Sequence, residues 1–284
     1  MSYSELWSEI TSALRVAFAE LTPLRGKGAV RKRDGSPLSA VDLVLQRLLV
    51  EIIEEVEEEK PCVVAEEHLN TVLGRERRCR RVWVIDPLDG TSQFLDRGSI
   101  EYCTTVTVLH GRDPVACLIY CPELGRGKSE VVISVAGPGS PVLVNGLPAR
   151  LASRGSSTRG AFSATRSKQE SSRPFEARLG DEVKLRATSL TIDMARSALD
   201  LSDVSALGPF KGFYRANERA WDALAGIVVA CASGLAAVDL CGSPLTPLAD
   251  GFLEAAEPTF PNVVLADKDD VRDLLALLGE NGPE

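Results

Sequence analysis

The chain has 284 residues, of which 44% are hydrophobic and 25% charged, a composition typical of a globular protein with a substantial buried core. Its net charge of -8 argues against a general nucleic-acid binder, because such a protein needs a basic surface. No apolar run approaches the about eighteen residues of a membrane span, and the N-terminus lacks the basic region of a secretory signal. We therefore expect a cytoplasmic protein that contacts no membrane.

The cysteines exclude two further classes. There are seven of them, an odd number without CxxC pairs, which indicates neither a zinc site nor a secreted disulfide framework. We expect them to serve mainly as small buried hydrophobic side chains. Arginine outnumbers lysine while glutamine and methionine are scarce, a weak indication of a thermophile, in which intracellular disulfides also occur.

Two amphipathic helices are predicted near the N-terminus. The first covers about residues 4–21, with a capping box that begins at Ser2. The second begins with another capping box at Ser39 and ends before Pro61. Between the helices, the polar and glycine-containing residues 25–37 predict an exposed, mobile loop.

Short apolar segments bounded by turn residues predict five strands in the next part of the chain. They cover residues 62–65, 82–85, 103–109, 115–121 and 130–135. The segment 111–113 reads as a hairpin turn, and Asn145-Gly146 marks a second turn.

From about residue 152 strands and helices alternate. The predicted strands lie at 161–165, 213–214, 236–240 and 263–266. The predicted helices lie at 199–207, 221–233 and 271–278. This change predicts an α+β lobe over residues 1–152 and an α/β lobe over 153–284, joined near the Ser/Gly-rich stretch 153–160.

The segment WVIDPLDGT is the part of the sequence that most clearly indicates a functional site. An apolar strand delivers Asp86 and Asp89 into a Pro/Gly turn, where both carboxylates and the carbonyl of Leu88 can converge on one point. Oxygen ligands of this kind suit Mg²⁺. The amides of Gly90 and Thr91 follow, and glycine allows an anion to approach the backbone closely. The alternative is that Asp-Pro and Asp-Gly are ordinary turn dipeptides.

Three other acidic positions extend this signal. Glu66, with Glu67, follows a predicted strand directly, Asp222 opens an apolar helix, and Asp42 opens the second helix. Each has an ordinary alternative: an exposed loop for Glu66, the helix dipole for Asp222 and helix capping for Asp42.

Together these segments resemble the inositol monophosphatase family of lithium-sensitive, metal-dependent phosphatases. The resemblance rests on Glu66-Glu67 followed by WVIDPLDGTSQF at 83–94, on WDALAG at 221–226 and on KRDGSPLSAVD at 32–42. It covers nearly the whole chain in order. It implies that the α+β and α/β lobes form a layered α/β/α/β/α sandwich, often as a homodimer.

The resemblance also implies roles for individual residues. Two or three Mg²⁺ ions would be held by the following ligands: Glu66, Asp86, the Leu88 carbonyl, Asp89 and Asp222. Thr91 and Asp42, assisted by Glu66, match the groups that position and activate the nucleophilic water. Contacts to phosphate or substrate are implied at Asp89, Gly90, Thr91, Ser197, Ala198 and Arg215.

Arg215 bears on the substrate. It stands seven residues before Asp222, where inositol-specific members of the family carry an acid. An arginine there favours a substrate with a second anionic group, because a guanidinium pairs bidentately with phosphate. The alternative is that Arg215 pairs with a neighbouring acid such as Glu218.

These features predict a Mg²⁺-dependent phosphatase that hydrolyses a small phosphate monoester, inositol 1-phosphate and/or fructose 1,6-bisphosphate, by in-line attack of a metal-activated water. Bound cations would reconcile the acidic chain with an anionic substrate. Within the family, the alternatives are a 3'(2'),5'-bisphosphate nucleotidase and a histidinol phosphatase. From another class, the alternative is a non-catalytic protein that binds RNA or the transcription machinery through the basic residues 75–81.

Overall fold

The fold is that of a computed structural model, which describes residues 1–26, 30–31, 37–67, 79–152, 162–165, 183–184 and 188–279. The predicted loop 25–37 and the basic cluster 75–81 lie largely outside the described residues, and the joining stretch 153–160 lies wholly outside them.

The described residues form six α-helices and fourteen strands. In chain order, helices α1 to α6 are Tyr3–Leu21, Ala40–Val56, Thr91–Leu95, Leu190–Ala198, Ala220–Ala232 and Val271–Gly279. Strands β1 to β7 are Val30–Arg31, Pro37–Leu38, Cys62–Ala65, Arg81–Asp89, Cys103–His110, Asp113–Cys121 and Val131–Val135. Strands β8 to β14 are Leu143–Val144, Leu147–Pro148, Phe162–Thr165, Val183–Lys184, Gly212–Arg219, Ala236–Val238 and Thr259–Ala266.

The strands form two large sheets and one small hairpin. The seven-stranded sheet has the order β3-β4-β5-β6-β7-β8-β9, and only its β3–β4 pair is parallel. The five-stranded sheet has the order β11-β10-β12-β14-β13, with β10 parallel to both of its neighbours. Strands β8 and β9 are joined by Asn145 and Gly146, both with positive φ, as a tight hairpin turn requires.

The sheets and helices stack in five layers. Helices α1 and α2 cover one face of the seven-stranded sheet, and α4 and α5 cover its other face. The five-stranded sheet packs against the far side of α4 and α5, and α6 closes the stack. Strand β4 shows how one sequence serves two cores: Trp83 and Ile85 point towards α1 and α2, whereas Val82 and Val84 point towards α4 and α5. The layered α/β/α/β/α fold is thereby confirmed.

The predicted capping boxes at Ser2 and Ser39 are both confirmed. The predicted helix at 199–207 is wrong, since α4 starts earlier and ends at Ala198. Asp200 instead accepts a hydrogen bond from the amide of Ser202 at 3.0 Å, a local turn that competes with helical pairing. No helix among the described residues is long and apolar enough to cross a membrane.

The cysteines differ from the expectation in two respects. Cys62 and Cys79 form a disulfide whose Cα atoms lie 6.3 Å apart. Cys103, Cys117 and Cys121 are buried as expected, but two further cysteines are exposed, Cys231 and Cys241. Because Cys62 opens β3 and Cys79 precedes β4, the crosslink joins the ends of the segment that contains Glu66 and Glu67.

The central helices α4 and α5 meet at a glycine. Gly226 of α5 lies against Met194 of α4, and a Cβ atom added there would fall 2.6 Å from the Met194 Cβ and 2.8 Å from its sulfur. The last residue of the WDALAG segment is therefore explained by close helix packing.

We expect Gly226→Ala to lower the free energy of unfolding by about 1–3 kcal/mol, because overpacking must displace Met194 or separate the two helices. Denaturant unfolding would measure the loss. Gly208→Ala is the matched control, since nothing lies within 4 Å of its added Cβ. Equal stability of the two variants would contradict this account of the helix contact.

Candidate metal centre

Two groups of acidic side chains lie where the end of β4 meets helices α2, α4 and α5. In each group the carboxylate oxygens lie within 4.8 Å of one another. One group is Asp86, Asp89 and Asp222; the other is Asp42, Glu66 and Glu67. The structure thus brings together the acids that the sequence analysis singled out from four separate segments.

Asp86 and Asp89 converge because β4 is irregular at its end. The pairing of β4 with β5 shifts register between these two residues. Asp86 is fully buried, and its Oδ1 accepts a hydrogen bond from the amide of Leu88 at 2.9 Å. Its Oδ2 is also buried and has no hydrogen-bond partner among the described residues.

Gly90 ends this strand in a left-handed conformation with φ of 89°. A Cβ atom there would lie 3.0 Å from the carbonyl oxygen of Glu101 and 3.2 Å from the Tyr102 Cβ. Both the backbone angle and the crowding require glycine. The sharp turn lets helix α3 begin at Thr91, directly beside the acids.

Asp89 is held by the N-terminus of helix α4. Its Oδ2 accepts hydrogen bonds from the Ser189 hydroxyl at 2.6 Å and from the Thr191 amide at 2.8 Å. The amide of Leu190 approaches Oδ1 at 3.3 Å. A helix N-terminus carries partial positive charge, so it suits a carboxylate. A side chain of the seven-stranded sheet is thereby bound to a helix from the later part of the chain.

Asp222 lies in the first turn of α5. The hydroxyl of Thr105, the residue paired with Asp86 across the sheet, donates to the carbonyl of Trp221 at 3.3 Å. The hydroxyl of Thr191 donates to the backbone carbonyl of Asp222 at 2.9 Å. These two contacts fix the start of α5 beside the end of β4.

The second acidic group is tied to α2 and β4. The Thr91 hydroxyl lies 3.0 Å from Oδ1 of Asp42 and 3.1 Å from the carbonyl oxygen of Leu88. It has one proton, so it donates to only one of these acceptors at a time. The backbone amide of Glu66 donates to Ile85 of β4 at 3.4 Å.

The carboxylates perturb one another. Burial raises the pKa of Asp86 well above its ordinary value, and the charges of Glu66, Asp222 and Asp89 raise it further. Burial, together with the charge of Asp222, raises the pKa of Asp89 to about 6, although the hydrogen bonds from Ser189 and Thr191 lower it. Burial also raises the pKa of Asp222.

This arrangement fits a divalent cation. Buried Asp86 and Asp89 and half-buried Asp222 bring their carboxylate oxygens within 4.8 Å of one another, and Oδ2 of Asp86 faces no donor among the described residues. Such a group is costly to ionise in the absence of positive charge. Carboxylate and carbonyl oxygens are the ligands that Mg²⁺ and Ca²⁺ prefer.

Not every residue implied by the resemblance joins this centre. Ser197 and Ala198 are buried at the C-terminal end of α4, and the Ser197 hydroxyl donates to the Asp193 carbonyl within the helix. The helix rise places them about 10 Å from the end that holds Asp89. Arg215 forms an ion pair with Glu218 at 3.0 Å, the alternative that the sequence left open.

Three residues near the acids were missed from the sequence. Ser189 and Thr191 hold Asp89, and Glu218 is almost fully buried beside Asp222. Ser189 carried a usable signal, because a serine before an apolar helical run is a common N-cap. Glu218 lies beyond the strand predicted at 213–214, and the sequence suggested only that it could pair with Arg215.

The pKa shifts predict how the stability of the metal-free protein depends on pH. The folded acids hold protons that the unfolded chain releases near pH 4, so the free energy of unfolding falls as pH rises from about 4 to above 6. We expect the protein in EDTA to melt at a higher temperature at pH 5 than at pH 7.5, and Mg²⁺ to reverse the loss at pH 7.5.

Asp86→Asn removes one of the repelling charges and keeps an oxygen for the Leu88 amide. We expect this variant to melt above the wild type in EDTA at pH 7.5, with a weaker pH dependence. Asp269→Asn is the control, because Asp269 is exposed and distant in sequence from the acids. An Asp86→Asn protein less stable than the wild type under these conditions would refute the electrostatic account.

Comparisons with known proteins identify relatives of this chain. The chain is 31% identical over 230 residues to a probable inositol 1-monophosphatase, ImpA, of Mycobacterium tuberculosis, and the match covers 78% of each chain. It is 32% identical over 94 residues to the 3'(2'),5'-bisphosphate nucleotidase CysQ of Aggregatibacter actinomycetemcomitans. That second match spans 33% of this chain and only 34% of the relative.

The fold is shared with solved structures. The IMPase of Thermotoga maritima superimposes with a TM-score of 0.74 over 95% of each chain, at 17% sequence identity. The model of the inositol monophosphatase family matches residues 3–270, almost the whole chain and both large sheets. This protein belongs to the inositol monophosphatase family.

Proposed function

We propose that this protein is a Mg²⁺-dependent phosphatase that hydrolyses a small phosphate monoester. The observation that carries the proposal is the group formed by Asp86, Asp89 and Asp222, next to the Thr91–Asp42 hydrogen bond. Divalent cations bound there would neutralise the carboxylates, hold phosphoryl oxygens and lower the pKa of a bound water. The ligands proposed for two or three ions are Glu66, Asp86, the Leu88 carbonyl, Asp89 and Asp222.

The chain's own residues would then orient the nucleophile. Oγ1 of Thr91 can accept a proton from the attacking water only if it passes its own proton on, and Oδ1 of Asp42 lies 3.0 Å away to receive it. The Ser39 hydroxyl donates to the other oxygen of Asp42 at 2.6 Å, which fixes the carboxylate for this role. Glu66 assists from the same acidic group.

Substrate binding is proposed at the turn after β4. The absence of a side chain at Gly90 leaves room for the phosphate to approach the amides of Gly90 and Thr91. The ester itself is inositol 1-phosphate and/or fructose 1,6-bisphosphate, with a nucleoside bisphosphate or histidinol phosphate as alternatives. Arg215 can reach a second phosphate only by giving up its pair with Glu218. We also propose that the protein forms a homodimer, as the family resemblance implies.

The basic cluster proposed for a non-catalytic role in binding RNA or the transcription machinery is only partly described: residues 75–78 lie outside the described part of the chain, and Arg81 pairs with Glu57 at 3.2 Å. Two close groups of acids assembled from four segments have no evident purpose in such a role. Phosphate release with Mg²⁺ or with EDTA separates the two functions.

We expect phosphate release from at least one of the four esters in Mg²⁺ and none in excess EDTA. Asp86→Asn should lower kcat by about 10²–10³-fold or more, since it removes charge that matters most in the transition state. The same variant is expected to be the more stable one without metal, so misfolding would not explain its inactivity. Full turnover in EDTA would refute metal dependence.

Thr91→Ala tests the proton path separately from the cation. We expect kcat at saturating Mg²⁺ to fall at least about 10²-fold, the scale of a lost general base, while the calorimetric affinity for Mg²⁺ changes little. Ser92→Ala is the matched control, because Ser92 is the adjacent but exposed residue. Unchanged turnover with weakened Mg²⁺ binding would instead identify Thr91 as part of the cation site.

A further inference from the structure

Glu101 is an acid beside the proposed phosphate-binding turn for which the proposed function has given no role. It lies between α3 and β5, and its carbonyl oxygen would be only 3.0 Å from a Cβ atom added to Gly90. Its backbone therefore packs directly against the turn. Its side chain is 20% exposed, so a small molecule can reach it.

The carboxylate of Glu101 is held through one of its two oxygens. Oε2 accepts hydrogen bonds from Nζ of Lys184 and from the hydroxyl of Thr188, each at 2.6 Å. Oε1 has no hydrogen-bond partner among the described residues. Since each oxygen of a carboxylate has two lone pairs, Oε1 can accept hydrogen bonds from a bound molecule.

Thr188 connects this carboxylate to the metal centre. It directly precedes Ser189, whose hydroxyl donates to Asp89 at 2.6 Å. The side chain of Glu101 thus contacts the segment that holds a proposed cation ligand, and its backbone contacts the turn that follows the same ligand. A phosphate bound at this turn would place the rest of its ester near Glu101.

Lys184 fixes the carboxylate and has no N–H group left for a substrate. Its ammonium group has three N–H donors, and it lies 2.6, 2.6 and 2.8 Å from three acceptors: Glu101, Thr188 and Asp193. Asp193 is fully buried and also accepts a hydrogen bond from Ser163 at 2.8 Å. Because two acids share this lysine, a second phosphate near Glu101 would be repelled, whereas a neutral donor such as a hydroxyl group would be bound.

We propose that Glu101 is a substrate-binding residue that accepts hydrogen bonds from hydroxyl groups on the alcohol part of the phosphate ester. The inference rests on the proposed function, because it assumes that phosphate binds at Gly90 and Thr91. It favours a polyol monophosphate, such as inositol 1-phosphate, over a bisphosphate. The acid that selects the substrate then lies in the segment before β5, away from Arg215, which is occupied by its pair with Glu218.

A ratio of two catalytic efficiencies tests the proposal: kcat/KM for inositol 1-phosphate divided by kcat/KM for cyclohexyl phosphate, which has the same ring without hydroxyl groups. In Glu101→Gln the amide oxygen takes the place of Oε2, since Lys184 and Thr188 both donate there. The other position becomes an NH₂ group, which donates instead of accepting. We expect the ratio to fall at least about tenfold, the scale of a lost hydrogen bond to a charged group, mainly through a higher KM for inositol 1-phosphate.

Glu130→Gln is the matched control. Glu130 is also a partly exposed acid that pairs with a cation, Arg15, and accepts from a hydroxyl, that of Tyr120, but it precedes β7, three strands away from β4. We expect its ratio to stay within about twofold of the wild-type value, because an exposed ion pair contributes little. Thr188→Val removes one bond to Glu101 and keeps the carboxylate, so it should lower the ratio less than Glu101→Gln does. Melting temperatures of all variants would show that each is folded.

Three results would overturn the proposal while leaving the proposed function intact. The first is a wild-type protein without preference for inositol 1-phosphate over cyclohexyl phosphate, and the second is an unchanged ratio in Glu101→Gln. The third is an equal loss of kcat/KM for both esters in Glu101→Gln and in Thr188→Val, which would identify Glu101 as a structural link to α4 only. Absence of phosphate release from all four esters proposed above would instead overturn the proposed function, and the inference with it.

Discussion

The arrangement of this molecule depends on the cost of burying several carboxylates in one place. Asp42, Asp86 and Asp89 are all at least nine-tenths buried, and like charges at such distances repel strongly in a medium of low polarity. Each acid therefore needs a compensating group, and for Asp42 and Asp89 part of it comes from another element, Thr91 of α3 and the N-terminus of α4 respectively. These hydrogen bonds add to the apolar packing that holds the layers together.

The acids are compensated in three different ways. Asp42 is bound by Ser39 and Thr91, and Asp89 by the N-terminus of α4, so the chain itself supplies donors to both. Glu218 is paired with Arg215. Asp86 differs, because one of its oxygens has no donor among the described residues. The chain thus supplies donors to most of its acids, and at the centre of the group the proposed cations would supply the missing positive charge.

Much of this site could be predicted from the sequence, because its parts are encoded locally. The WVIDPLDGT segment specifies a buried strand, a turn and two acids within nine residues, and the capping box at Ser39 places Asp42 in the first turn of α2. The residues that depend on long-range geometry were not predictable in this way. Ser189 contacts Asp89 across 100 positions of the chain, and no local pattern encodes that distance.

The same limit explains the errors in the fold. The helix expected at 199–207 was inferred from apolar spacing, but Asp200 and Ser202 form a turn that spacing alone does not reveal. Arg215 had two interpretations, a contact to substrate or a pair with Glu218, and the structure shows the pair, which the left-handed backbone of Asn217 between the two residues allows. A backbone angle of this kind leaves no mark in hydrophobic periodicity.

The disulfide between Cys62 and Cys79 has a consequence for the unfolded chain. It closes a loop over a sequence separation of 17, which starts with β3, contains Glu66 and ends just before β4, the strand that pairs with β3 in parallel. A parallel pair of strands needs a long connection, and bringing its two ends together costs conformational entropy. A disulfide that closes a loop of this length lowers that cost by about 3 kcal/mol, because it restricts the denatured chain. In the oxidised chain, the covalent path from Glu66 to Asp86 is therefore shorter, even before the sheet has formed.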